Sequence, residues 1–198
     1  MNSVLNKLTG FSQAVMDWFI LSLSWFLGVA LGLVVLGLAP STVALIGATD
    51  ERFVEENATS AWRLFWQLYR KWFNSSSRNL LPSIAILGFL AGDYALMRRL
   101  FEGEVRVIFT VILGLLIVSV ALALIYQLCS FVEGEMLSLL ESLGVVLKKP
   151  LHNLVFITVT FAVLRLGNEI YGFVLLLAPG IWAWLIVILS KRIDRLSN

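Results

Sequence analysis

The chain is poor in the residues on which most soluble-protein chemistry depends. Among 198 residues there is one cysteine, Cys129, and one histidine, His152, and 14% of residues are charged. A single cysteine excludes an intramolecular disulfide and any multi-cysteine zinc cluster; Cys129 reads as a small apolar residue at a helix end. His152 has neither a second histidine nor clustered carboxylates near it in sequence, so no metal site or general base is expected. Fifteen Lys and Arg against thirteen Asp and Glu leave a formal charge of +2, which supplies no nucleic-acid footprint. Phosphate-loop, nucleophile-elbow and zincin patterns are missing too. No cofactor is implied.

What the chain has in abundance is apolar length. It is 59% hydrophobic, with a mean hydropathy of +0.89. Soluble domains carry about a quarter charged residues and could not cover this much apolar surface. Five runs stand out: Trp18 to Leu38, Leu80 to Met97, Val107 to Cys129, Leu151 to Leu166 and Tyr171 to Leu189. Each is close to the roughly 20 residues that cross a hydrocarbon core. The expected fold is all-α: one transmembrane domain over residues 1–198, a multi-pass helical bundle of about five spans with inner amphipathic helices. An even span count, with one run re-entrant or one missed, is the rival. The first sixteen residues hold one basic residue, Lys7, and no compact n-region, so the first run reads as a retained anchor.

Charge placement gives the expected orientation. With five spans, ten of the fifteen Lys and Arg fall on one side: Arg52, Arg63, Arg70, Lys71, Arg78, Lys148, Lys149, Lys191, Arg192 and Arg195. The positive-inside rule then puts the N-terminus outside and the C-terminus in the cytoplasm. On that basis the two sequons, at Asn57 and Asn74, face the cytosol.

The connector from Pro40 to Asn79 is helical in pattern. Between Ala58 and Phe73 the apolar residues Ala61, Trp62, Phe65, Tyr69, Trp72 and Phe73 recur near a period of 3.6, while Arg63, Gln67, Arg70 and Lys71 share the other face. This predicts an amphipathic helix over 58–73, ended by the Asn74-Ser75-Ser76-Ser77 run. Trp62, Arg63, Trp66, Arg70, Lys71 and Trp72 suit a headgroup layer or a partner, and form the candidate inner surface. A second such helix is expected over Glu133 to Leu147, with Met136, Leu139, Leu140, Leu143 and Leu147 as its apolar stripe, ended by Lys148-Lys149-Pro150. The two halves thus share one order of elements, and an internal repeat is one reading of it.

Ionisable residues within or beside a span are costly and merit weighing one by one. Asp17, Asp93, Arg165 and Glu169 all approach the outer boundary in the five-span topology. They form a candidate outer polar cluster, read either as an interfacial ion pair closing the bundle or as a pocket for an ion or small solute. Gly28 and Gly32 have GxxxG spacing, which favours close helix packing within the chain. Pro179-Gly180 is the candidate for a broken helix in the last run.

At Gly37-Leu38-Ala39-Pro40-Ser41-Thr42-Val43-Ala44-Leu45 the sequence becomes distinctive. Followed by Leu64-Phe65-Trp66-Gln67-Leu68-Tyr69-Arg70-Lys71-Trp72-Phe73, it resembles the YesL-like family of bacterial integral membrane proteins. The chain departs from that family at Ser41, in place of Ala, and at Asn74 to Arg78, in place of a more basic turn. The resemblance implies a bacterial cell membrane and an association with carbohydrate uptake, alongside ABC-importer components; it implies no established activity. Fold likeness alone does not give function. Three readings follow: a non-enzymatic accessory or regulatory subunit contacting lipid and subunits of a sugar ABC importer, a small oligomeric transporter or channel using the outer cluster, and an intramembrane enzyme. The lone His152 and Cys129 disfavour the third. Homo-oligomerisation stays open.

Overall fold

The computed structural model describes residues 2–55, 59–169 and 173–197, with side chains described at 10–55, 59–166 and 176–191. Seven helices account for nearly all of the described residues: α1 (Asn2–Leu31), α2 (Val35–Phe53), α3 (Ala61–Leu100), α4 (Gly103–Glu133), α5 (Leu139–Lys148), α6 (Pro150–Glu169) and α7 (Phe173–Ser197). Three segments are long and apolar enough to cross a membrane, Gly10–Leu31, Ala61–Leu100 and Gly103–Val132. A fourth arises if α5 and α6, bent by 102° from one another, make one broken span. Leu176–Lys191 is a shorter apolar helix. The protein is therefore a helical membrane protein, with a count of spans near the expected five but differently assembled.

The main difference lies in the first run. Residues 32–34 turn the chain back, with Leu33 and Val34 in the left-handed region at φ 55° and 65°. Such angles are uncommon outside glycine and rarer still for a β-branched residue, so nothing in the Leu-Val-Val sequence announces the turn. α1 and α2 form an antiparallel hairpin rather than one span. Small residues make it possible: a side chain at Gly37 would lie 2.7 Å from the carbonyl oxygens of Gly28 and Val29, and one at Gly32 would overlap Gly37. The GxxxG pair thus packs within the chain, as its spacing suggested.

α2 is the centre of the fold. Twelve of its 19 residues are buried, in an unbroken stretch from Ala39 to Thr49 plus Gly37. Pro40 cannot donate to the carbonyl of Leu36 one turn back, and the Ser77 hydroxyl of α3 donates to it instead, at 3.3 Å. Gly47 admits the Trp72 ring of α3. Tyr69 of α3 reaches past α2 and donates its hydroxyl to the Gly28 carbonyl at 2.9 Å. Leu21, Val43, Leu45, Ile46, Phe65 and Ala183 join one apolar core there.

α3 corrects a second expectation. The Asn74-Ser75-Ser76-Ser77 run does not end the amphipathic helix; Ser75 and Ser76 donate back to the Trp72 carbonyl at 3.3 and 2.7 Å, so their hydroxyls are satisfied without leaving the helix. One helix runs on to Leu100. Ala58, the expected start, lies outside the described residues.

α4 ends in a Schellman turn at Gly134, φ 89°, with Glu135 N–H on the Ser130 carbonyl at 2.9 Å. α5 opens on a capping box: the Ser138 hydroxyl accepts from Glu141 N–H at 3.3 Å, and the Glu141 carboxylate accepts from Ser138 N–H at 2.7 Å. Its apolar stripe divides. Leu139 and Leu143 pack toward a second core with Leu122, Ala123, Phe156 and Ile186, whereas Met136, Leu140 and Leu147 are exposed and the polar Ser142, off that stripe, is buried. Asn153 braces the bend into α6, donating to the Val146 carbonyl at 2.5 Å and accepting from the Tyr126 hydroxyl at 3.1 Å.

α7 is continuous through Pro179-Gly180, so no break occurs there. Gly180 instead permits contact with α1, where a side chain would lie 2.5 Å from the Trp18 carbonyl. Its N–H donates to the buried Ser22 hydroxyl at 2.9 Å.

Candidate functional site

The amphipathic start of α3 sorts its residues between core and surface. Ala61, Leu64, Phe65, Leu68 and Tyr69 are buried against α1 and α2. Trp62, Arg63, Gln67, Arg70 and Lys71 are exposed. Arg63, Gln67 and Arg70 follow the i, i+4, i+7 spacing of one helical stripe. None of the three has a hydrogen bond or ion pair among the described residues. With Trp62, Trp66 and Leu31 from the hairpin turn, they line a shallow hollow.

An aromatic ladder stiffens this stripe from behind. Trp62 and Trp66 meet edge to face at 5.6 Å, Trp66 and Tyr69 at 5.4 Å, and Tyr69 and Phe73 at 5.4 Å. Such pairs contribute about 0.5–1.5 kcal/mol each beyond area burial, so the rings beside the stripe are held in place. The Trp66 indole N–H is buried and has no hydrogen-bond partner. The candidate surface is narrower than the sequence pattern gives. Trp72 turns inward to Gly47 and Phe131, and the Lys71 ammonium lies 5.4 Å from the Trp72 ring centre.

The outer polar cluster is not assembled as expected. Asp17 accepts from Arg52 at 2.8 Å, with both side chains largely buried. Asp17 and Arg52 therefore share one end of the hairpin, and the topology that put them on opposite sides of the membrane is corrected. The reason is the turn at residues 32–34, which returns α2 to the start of the apolar part of α1. Asp93 is half-buried and lies about nine helical turns beyond the start of α3, with no ion pair among the described residues. Arg165 has a partner, but no contact joins it to Asp17 or Asp93. The Glu169 side chain lies outside the described residues.

A different set of charges meets at the end of the bundle. Asp50 of α2 pairs with Lys191 of α7 beside the Asp17–Arg52 bond, tying three helices together. Sequence reasoning missed both pairs. The signal available was that Asp17 and the Asp50 to Arg52 stretch flank one apolar segment at both ends, as a hairpin requires. Among the described residues, no group of three or more His, Cys, Asp and Glu side chains is placed to hold a metal ion. The His152 Nδ1 is buried and without a partner, and Cys129 is half-buried.

Fold and surface together define a multi-pass helical membrane protein with a basic, tryptophan-rich helix face. A family model described as a protein of unknown function, DUF624, matches residues 18–94. That match takes in the α1–α2 hairpin from Trp18 and α3 as far as Tyr94, the segment that supplies most of the main core and all of the exposed stripe. No curated protein and no solved structure matches the chain.

Proposed function

We propose that this chain is a non-enzymatic accessory membrane protein that holds a partner through the Arg63, Gln67 and Arg70 stripe of α3. The observation that carries the reading is a row of exposed, unpaired polar and cationic side chains on one helical stripe, beside a packed aromatic ladder. Two unpaired guanidinium groups on one exposed stripe favour an acidic partner surface, because complementary charge there steers and orients association. The YesL-like resemblance supplies the partner class, a component of a bacterial carbohydrate ABC importer, with Trp62 as an apolar anchor beside the two arginines.

The test is copurification in mild detergent after brief crosslinking in cells. The intact chain is expected to bring down an importer component, and the double variant Arg63→Glu, Arg70→Glu is expected to lose it while eluting as the same monodisperse species. A chain repeatedly recovered without any importer component would overturn the assignment.

A further inference from the structure

A cavity of about 690 Å³ lies inside the bundle, with walls drawn from six helices. Trp25 of α1, Thr42 of α2, Ile84 of α3, Leu124 of α4, Thr160 of α6 and Trp182 of α7 define it. Its size falls within the roughly 300–1,000 Å³ of small-molecule sites. The lining is otherwise aliphatic and aromatic.

The few polar groups on the wall are mostly spent on one another. The Trp25 indole N–H donates to the Thr42 hydroxyl at 3.1 Å, and that hydroxyl donates to the Leu38 carbonyl at 2.8 Å. The Trp182 indole N–H donates to the Thr160 hydroxyl at 3.1 Å. A trapped water needs two to four polar partners, and this wall does not offer them. A sugar or ion would be worse placed, since each would lose its hydration with nothing in return.

The cavity also has a side exit. Leu164 lines it and is nonetheless 67% exposed, so the space reaches the flank of the molecule at α6. α6 packs along α7 and has little packing against α1, α2 or α3. α3 is apolar and long enough to cross a bilayer, and α6 is so as part of a broken span with α5. What stands outside the exit is therefore hydrocarbon, and an apolar void beside it gains dispersion contacts when filled.

We propose that the cavity holds one acyl chain of a bilayer phospholipid, entering between α6 and α3. The chain fills space that protein side chains leave open, and the two Trp–Thr pairs keep indole dipoles from competing for water there.

The test uses the full chain reconstituted in phosphatidylcholine vesicles, part of the lipid carrying a photoactivatable diazirine near the end of one acyl chain. Photolysis and peptide mapping are expected to place adducts on Leu124 and Trp182, which line the cavity and are only partly exposed, in addition to outward residues such as Leu115 and Phe161. Ala121→Phe, which fills the cavity, is expected to reduce the wall adducts several-fold and leave Leu115 labelling unchanged. Wild-type adducts confined to outward residues would overturn the proposal, and that map decides the matter even if the variant does not fold. Wall labelling by a free diazirine fatty acid but not by the phospholipid, or by a water-soluble diazirine solute, would also overturn it.

Discussion

α2 and α4 are both apolar helices, yet they do opposite things. α2 buries twelve of 19 residues and is built from small ones, Gly37, Ala39, Ser41, Ala44, Gly47 and Ala48. α4 buries six of 31, all between Val120 and Phe131, while Val105, Val107, Ile108, Val111, Ile112 and Leu115 of its first half are exposed. The contrast teaches that in a membrane protein side-chain size, rather than hydrophobicity, separates a helix that faces protein from one that faces lipid. Lipid is as apolar as leucine, so a large aliphatic residue gains little by facing protein, whereas a small one lets backbones approach.

The sharpest way to break this comparison is to truncate one leucine on each helix. Leu45→Ala is expected to cost about 2–5 kcal/mol, because Leu45 is enclosed at the core and leaves a void. Leu115→Ala, 66% exposed, is expected to stay within about 0.5 kcal/mol. Thermal unfolding followed by size-exclusion fluorescence in one detergent measures both. Equal losses would sink the distinction between a protein-facing and a lipid-facing helix.

A glycine pair sharpens it. Gly37→Ala must displace the α1 backbone at Gly28 and Val29 and is expected to cost about 1–3 kcal/mol. Gly114→Ala on α4 meets nothing within 4 Å, so it is expected to be neutral or slightly stabilising in the same assay.

Hydrogen bonding gives the smallest effect. Tyr69→Phe removes the hydroxyl that donates to the Gly28 carbonyl, and a loss of about 1 kcal/mol is expected. Ser119→Ala on α4 is the matching change on the exposed side. Its hydroxyl bonds its own helix at the Leu115 carbonyl, 2.8 Å away, and removing it is expected to shift stability by less than Tyr69→Phe does.

Much of this architecture was legible in the sequence, for reasons that are local. Long apolar runs at α3, α4 and α6 need no tertiary information to be recognised as helices suited to a bilayer. The period of Trp62 to Phe73 placed Arg63, Gln67 and Arg70 on one exposed face, and the structure keeps them there. The Gly28–Gly32 spacing pointed to internal packing and is used that way. The outer cluster failed because it rested on a count of crossings. Moving one turn, at Leu33 and Val34, moves Arg52 to the other end of its segment and removes Asp17 from the set. The stripe on α5 failed for a related reason: a short apolar helix beside lipid has two apolar environments, and periodicity does not say which face meets which.

By itself the sequence determined that this protein lives in a membrane, that it is helical, and that its basic charge gathers with tryptophan on one helix. Those follow from the cost of leaving backbone groups and charges unsatisfied in hydrocarbon, which acts on every segment separately. Only the tertiary structure decided that the first run is a hairpin, that Asp17 meets Arg52 and Asp50 meets Lys191, and that six helices leave an apolar cavity between them. Each of these depends on how closely two backbones can approach, and that is settled by glycines and serines on different helices acting together.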